Sequence, residues 1–136
     1  MIRTISFIFI LILSSSFDNA DKIIGIYWSP DKDGKISIYK KGVLYYGRSI
    51  ASNTPELKDS KNPDPKLRSR VVLGEDVFFD FVYDKDDNEY INGTIYNPLD
   101  GNTYSAKMWL DGDNLKLRGF IGFTLFGVTK TMERLK

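Results

Sequence analysis

From residue 24 onward the apolar residues recur at every second position or in solid runs of strand length. No long stretch holds the i, i+3, i+4, i+7 spacing of an amphipathic helix. This pattern predicts strands at 24–28, 35–39, 43–49, 76–83, 89–96, 103–110, 115–120 and 128–134. Most are joined by short polar turns: DKDG at 31–34, KKG at 40–42, DKDDN at 84–88, NPLDGN at 97–102 and DGDN at 111–114. Asp, Asn and Gly in such turns accept positive φ or bond their own backbone, so sequential strands are expected to pair antiparallel.

About eight short strands in a meander either expose two edges or close on themselves, and closure is the economical solution. The expectation is an all-β, single-domain, up-and-down barrel. Along 76–83, Val77, Phe79, Phe81 and Tyr83 make one apolar face against Phe78, Asp80 and Val82; along 103–110, Tyr104, Ala106, Met108 and Leu110 oppose Ser105, Lys107 and Trp109. Inward aromatics of this size argue for a filled interior. The long exception to short connections is the loop 50–70, which ends in NPDPKLRSRVVLG (62–74). Pro63 and Pro65 stiffen it, and Asp64 is placed to cap a single helical turn with Pro65 at its first position.

The N-terminus breaks the β pattern. Arg3, the apolar stretch from Ile5 to Leu13 and the small residues Ser14, Ser15 and Ser16 have the form of an export signal, too short to span a bilayer. Residues 1–20 are therefore expected to be removed, by cleavage after Ser16 or after Ala20, leaving a domain over 21–136 with no integral membrane span. No Cys follows the apolar run, which excludes a lipid-modified N-terminus and points to a periplasmic or secreted protein without disulfides.

With 19 basic and 18 acidic residues the chain lacks the strong positive field of a nucleic-acid binder. It has no His and no Cys, which removes the usual general base, the Ser-His-Asp and Cys-His nucleophilic systems, and imidazole or thiolate zinc sites. A carboxylate-based enzyme is the residual catalytic reading, but most of the acids sit in turns. Asp84, Asp86 and Asn88 imitate the start of a calcium loop, yet Glu89 and Ile95 stand where Gly and a bidentate acid are needed. Neither a metal site nor a cofactor is expected. The sequon at Asn92, Gly93 and Thr94 bears on the fold only where the source glycosylates it.

NPDPKLRSRVVLG, NGTIYNPLDGNTYSAKMWL and LRGFIGFTLFGVTKTMERL together resemble the exported bacterial family known as domain of unknown function 2147, over 25–135. The resemblance implies a lipocalin-like barrel of the calycin superfamily and no particular activity. Tyr96, Pro98, Gly101, Tyr104, Arg118, Gly119 and Arg134 fit the family pattern, whereas Val128 and Met132 stand where relatives carry Arg and Trp.

The candidate ligand-binding residues are Arg68, Arg70, Arg118, Tyr96, Tyr104, Trp28 and Trp109. Converging guanidinium groups suit an anion, and aromatic walls with polar tips suit a pocket. The competing role for Arg68 and Arg70 is to pin the loop by bonding carbonyls and neighbours such as Asp59, Asp64 or Glu75. Tyr27, Tyr45 and Tyr46 are aromatics that fill a core or line a pocket, and Arg134 is placed to stack on Tyr27 or Trp28 at the barrel base. The apolar segment 120–127 is expected to fold over a barrel end. The leading expectation is a noncatalytic exported barrel that binds a small apolar or anionic molecule, or an envelope component, under the loop. The alternative is a structural or protein-interaction module of the envelope; oligomeric state is not legible.

Overall fold

The computed structural model describes residues 19–120 and 128–136. The expected leader, apart from Asn19 and Ala20, and most of the apolar segment 120–127 lie outside the described residues. Among the described residues one antiparallel sheet runs in sequence order: β1 (Gly25–Trp28), β2 (Gly34–Lys41), β3 (Leu44–Ser52), β4 (Asp76–Asp84), β5 (Glu89–Asn97), β6 (Asn102–Asp111), β7 (Asn114–Phe120) and β8 (Thr129–Met132). The chain just beyond β8 turns back onto β1. Trp28 N–H donates to the Glu133 carbonyl at 2.8 Å, Leu135 N–H donates to the Ile26 carbonyl at 2.9 Å, and Tyr27 faces Arg134 in an isolated bridge. The sheet becomes a barrel at that point.

The predicted strands are all present, but the faces of β4 need correction. Phe78 and Phe81 are both buried while Phe79 is only partly so, contrary to a strict alternation that would put Phe78 outside. Asp80 takes φ +62, and its diagonal neighbour on β5, Asn92, takes φ +61. Phe79 pairs with Thr94 and Val82 with Ile91, so the two irregular residues lie side by side in neighbouring strands. Each inserts one extra residue relative to its other neighbour, as the shifts Tyr45/Gly47 and Tyr90/Gly93 record. The extra residue reverses the phase of the strand, so Phe78 before it and Phe81 after it both point inward.

Gly93 makes this possible. A Cβ there would lie well inside contact distance of the Phe81 ring, which covers the bare backbone. Around this contact sit Tyr27, Ile38, Tyr45, Tyr90, Met108, Leu115 and Met132, all at 2 % exposure or less, with Tyr45 and Tyr90 edge-to-face at 5.2 Å.

The base of the barrel is stoppered by a 3-10 helix over Asn19–Ile23. Ala20 and Ile23 are buried, the Tyr90 hydroxyl donates to the Ala20 carbonyl at 2.5 Å, and the Tyr27 hydroxyl donates to the Ile23 carbonyl at 2.8 Å. Tyr45 donates to the Asp21 carboxylate at 2.6 Å, which with Lys40 holds that carboxyl below its ordinary range. Arg134 donates to the Lys22 carbonyl at 2.5 Å and to the Tyr27 hydroxyl, its guanidinium 5.0 Å from the Tyr27 ring centre. The stack expected at the base is therefore on Tyr27; Trp28 instead lies under Lys35.

Two outcomes are expected. Gly93→Ala should cost at least about 2 kcal/mol in chemical denaturation because Phe81 cannot retreat from a packed core, whereas Gly119→Ala, with open space at its Cβ position, should be close to neutral. A chain beginning at Asp21 should melt below one beginning at Phe17, since it leaves the buried Tyr90 hydroxyl without its acceptor, a loss of about 1–3 kcal/mol. Of the two cleavage points considered above, only the one after Ser16 keeps the stopper whole.

Candidate functional site

The opposite end of the barrel carries the β1–β2 turn, the loop from β3 to β4, the β5–β6 turn, the end of β7 and the start of β8. The β3–β4 loop is built around one buried carboxylate. Asp59 is fully buried and accepts from Asn62 Nδ2 at 2.8 Å, from Arg70 Nε at 3.1 Å and from the Tyr96 hydroxyl. Arg70 also reaches Glu75 at 3.5 Å, and Arg68 Nε donates to the Asn62 carbonyl at 2.8 Å. Pro65–Leu67 forms the single turn expected there, with the Asp64 side chain accepting from the Lys66 N–H. The β5–β6 turn meets the loop where Gly101, at φ +73, lies against the Lys61 carbonyl with no room for a Cβ.

These contacts set the charge states. Burial pushes the Asp59 carboxyl up, but the bonds from Tyr96, Asn62 and Arg70 outweigh it and hold the group below the ordinary carboxylate range. Burial, and then the Asp59 charge, push the Tyr96 hydroxyl up to about 12. The arrangement is a closed clasp with its donors and acceptors matched to one another.

Next to the clasp the described residues leave the barrel end open on the side of β5 to β8. A cleft of about 370 Å³ is lined by Pro30, Ile95, Asn97, Tyr104, Leu117, Gly119, Val128 and Lys130. Among the described residues nothing lies within 4 Å of the Cβ position at Gly119. A second cleft, of about 380 Å³, lies beside it and shares Pro30 and Lys130, with Lys32 and Glu133 on its far wall, 3.2 Å apart as an ion pair. The two meet where β1 has ended and β8 has no β1 partner.

Of the seven candidate residues, Tyr104 alone lines the mouth cleft. Arg68, Arg70 and Tyr96 belong to the clasp. Trp28 lies under Lys35 at 4.8 Å and Trp109 under Lys107 at 5.5 Å, both stems of the pair being on strands. Arg118 stands in a row between Lys107 and Thr129 and does not line the cleft. Tyr27 and Tyr45 fill the core, and Tyr46 donates to Asp80 on the exposed side of β3. Lys130 was absent from the candidates although it was legible. Met132 must point inward, and Lys130 is two residues before it on the same strand.

The turn at Asp84 closes on itself, its side chain accepting from the Asp86 N–H. Among the described residues no group of three acids is placed to hold a metal ion, and no helix is long and apolar enough to cross a membrane.

An eight-stranded meander barrel, stoppered at one end and cleft at the other, is a lipocalin-like architecture. The Helicobacter pylori protein HP1028, described as belonging to the lipocalin family, superposes with a TM-score of 0.72 at 25 % identity, over 84 % of this chain and 83 % of that one. The family model for uncharacterized proteins conserved in bacteria, DUF2147, matches residues 25–134, and the chain belongs to that family. None of the curated proteins matches it.

Replacing Arg68 and Arg70 together by Ala should raise protease cleavage within 53–74 severalfold and lower stability by about 2–4 kcal/mol, because the buried Asp59 charge loses its counterion. Asp59 has a folded pKa below its unfolded one, so its contribution is full above about pH 4 and is lost as pH falls through the depressed value. Amide exchange in 57–72 should accordingly accelerate below pH 4 before the barrel strands open.

Proposed function

We propose that this is a noncatalytic, exported barrel that binds a small apolar molecule in the open end between β5 and β8. The observation that carries the reading is the apolar cleft itself. Ile95, Leu117, Val128 and Pro30 form its walls, and among the described residues nothing fills the space above Gly119, whereas Phe81 fills the equivalent space above Gly93. A small, mostly apolar concavity with a few polar groups at its rim is the usual form of a ligand site. The lipocalin-like fold supports the same reading, and the export-type form of residues 1–20 supports binding in the periplasm or outside the cell.

Size limits affinity. A ligand hiding about 250 Å² of apolar surface gains about 6 kcal/mol, and association costs subtract from that. Dissociation constants in the micromolar range or weaker are expected. The clasp, in this reading, is a wall of the site and not its recognition element.

Nile red should bind with a fluorescence rise, and Gly119→Leu should weaken it at least tenfold while leaving the melting temperature within about 2 °C, since the added side chain enters free space. Equal binding by Gly119→Leu would place the dye elsewhere. Native mass spectrometry that finds only bare polypeptide from the source cells, together with no dye binding, would remove the carrier reading.

A further inference from the structure

We propose that the ligand is an amphiphile with an oxyanion head, and that Lys130 at the barrel seam holds the head while the tail lies against Ile95 and Leu117. The proposal rests on the binding reading above and adds the chemical class.

The orientation of Lys130 follows from register. β7 and β8 pair Leu115 with Met132 and Leu117 with Lys130, while Lys116 pairs with Thr131 and Arg118 with Thr129. Leu115, Leu117 and Met132 are buried, so Lys130 stands on the inward column and the two threonines stand on the outward one. A lysine is an uncommon choice there. Its ammonium is strongly hydrated, and its four-carbon stem lets it lie along the apolar wall and lift the charge to the rim.

Among the described residues three acids lie near this rim: Asp31 borders the second cleft and not the mouth cleft and makes no ion pair with Lys130, and the other two are engaged elsewhere. Glu133 pairs with Lys32 at 3.2 Å, and Asp100 accepts from the Tyr104 hydroxyl and from the Asn102 N–H at 2.8 Å. Among the described residues Lys130 has no ion pair and no hydrogen bond from its side chain. Among the described residues the mouth cleft has one cation, set at the boundary between an apolar interior and the wet cleft beyond the seam. Both clefts are bordered by Lys130 and Pro30, so a head placed there stays partly hydrated while the tail is removed from water. A neutral ligand leaves that charge unanswered; a carboxylate or a phosphate answers it. Lysine acts as a point charge and does not distinguish those two heads by geometry.

The test compares decanoate, decyl phosphate and decan-1-ol by titration calorimetry on the mature protein, at low and at high salt. The expected result is that both anions bind about five- to tenfold more tightly than the alcohol, with the difference shrinking in salt. Lys130→Met should abolish the difference and leave alcohol binding unchanged, and Lys130→Arg should restore it. A stronger preference for decyl phosphate than for decanoate would assign the head to phosphate, and the reverse would assign it to carboxylate. Equal binding of alcohol and anions by the unaltered protein, or an anion preference that survives Lys130→Met, overturns the head-group assignment and leaves the pocket standing. No binding of any of the three overturns the pocket reading and this inference with it.

Discussion

Everything distinctive about this barrel depends on its seam being made by its two shortest strands. β1 and β8 have four residues each, against seven to ten in the strands between them. They meet through the residues just past β8 and only at the base. A closed sheet needs its first and last strands bonded, because unpaired backbone groups are costly inside and hazardous outside. Here two backbone hydrogen bonds do that, reinforced by Arg134, whose guanidinium covers Tyr27 and bonds the Lys22 carbonyl. One side chain thus ties the last residues, the first strand and the stopper together. The same shortness leaves the seam unpaired at the other end, where Pro30 and Lys130 face two adjoining clefts.

The barrel architecture was legible because its signals are redundant. Alternation, turn chemistry and the absence of helical spacing all point to a meander, and an error in one strand does not alter the whole. Faces within a strand are less protected. Asp80 and Asn92 look like ordinary outward polar residues, but each is a bulge that shifts every later side chain by one position. No local propensity distinguishes the two cases, since the bulge is set by what the opposite strands must bury. Phe78 was consequently assigned to the wrong face.

The site shows a similar division. The clasp was readable in NPDPKLRSRVVLG because prolines fix φ and arginines demand acceptors; the partner Asp59 lies within the same loop, close in sequence. Tyr96 was read as a pocket wall, and its actual partner lies 37 positions away. Lys130 carries a weaker signal in the sequence than the arginines and aromatics, because its strand is mostly polar. Its phase is nevertheless fixed by Met132, a residue that the barrel must bury.

Where the cavity lies follows from one row of small residues. Gly93 pairs with Ala106, and Ala106 pairs with Gly119, so three minimal side chains cross the interior at one level. Below this level the aromatics from β3, β4 and β5 meet and fill the barrel. At Gly93 the bulge on β4 delivers Phe81 into the available space. At Gly119 none of the described residues does the same, and β8 offers Lys130 on the inward column. The filled half and the open half are thus alternative outcomes of the same packing problem, decided by which neighbour each glycine is given.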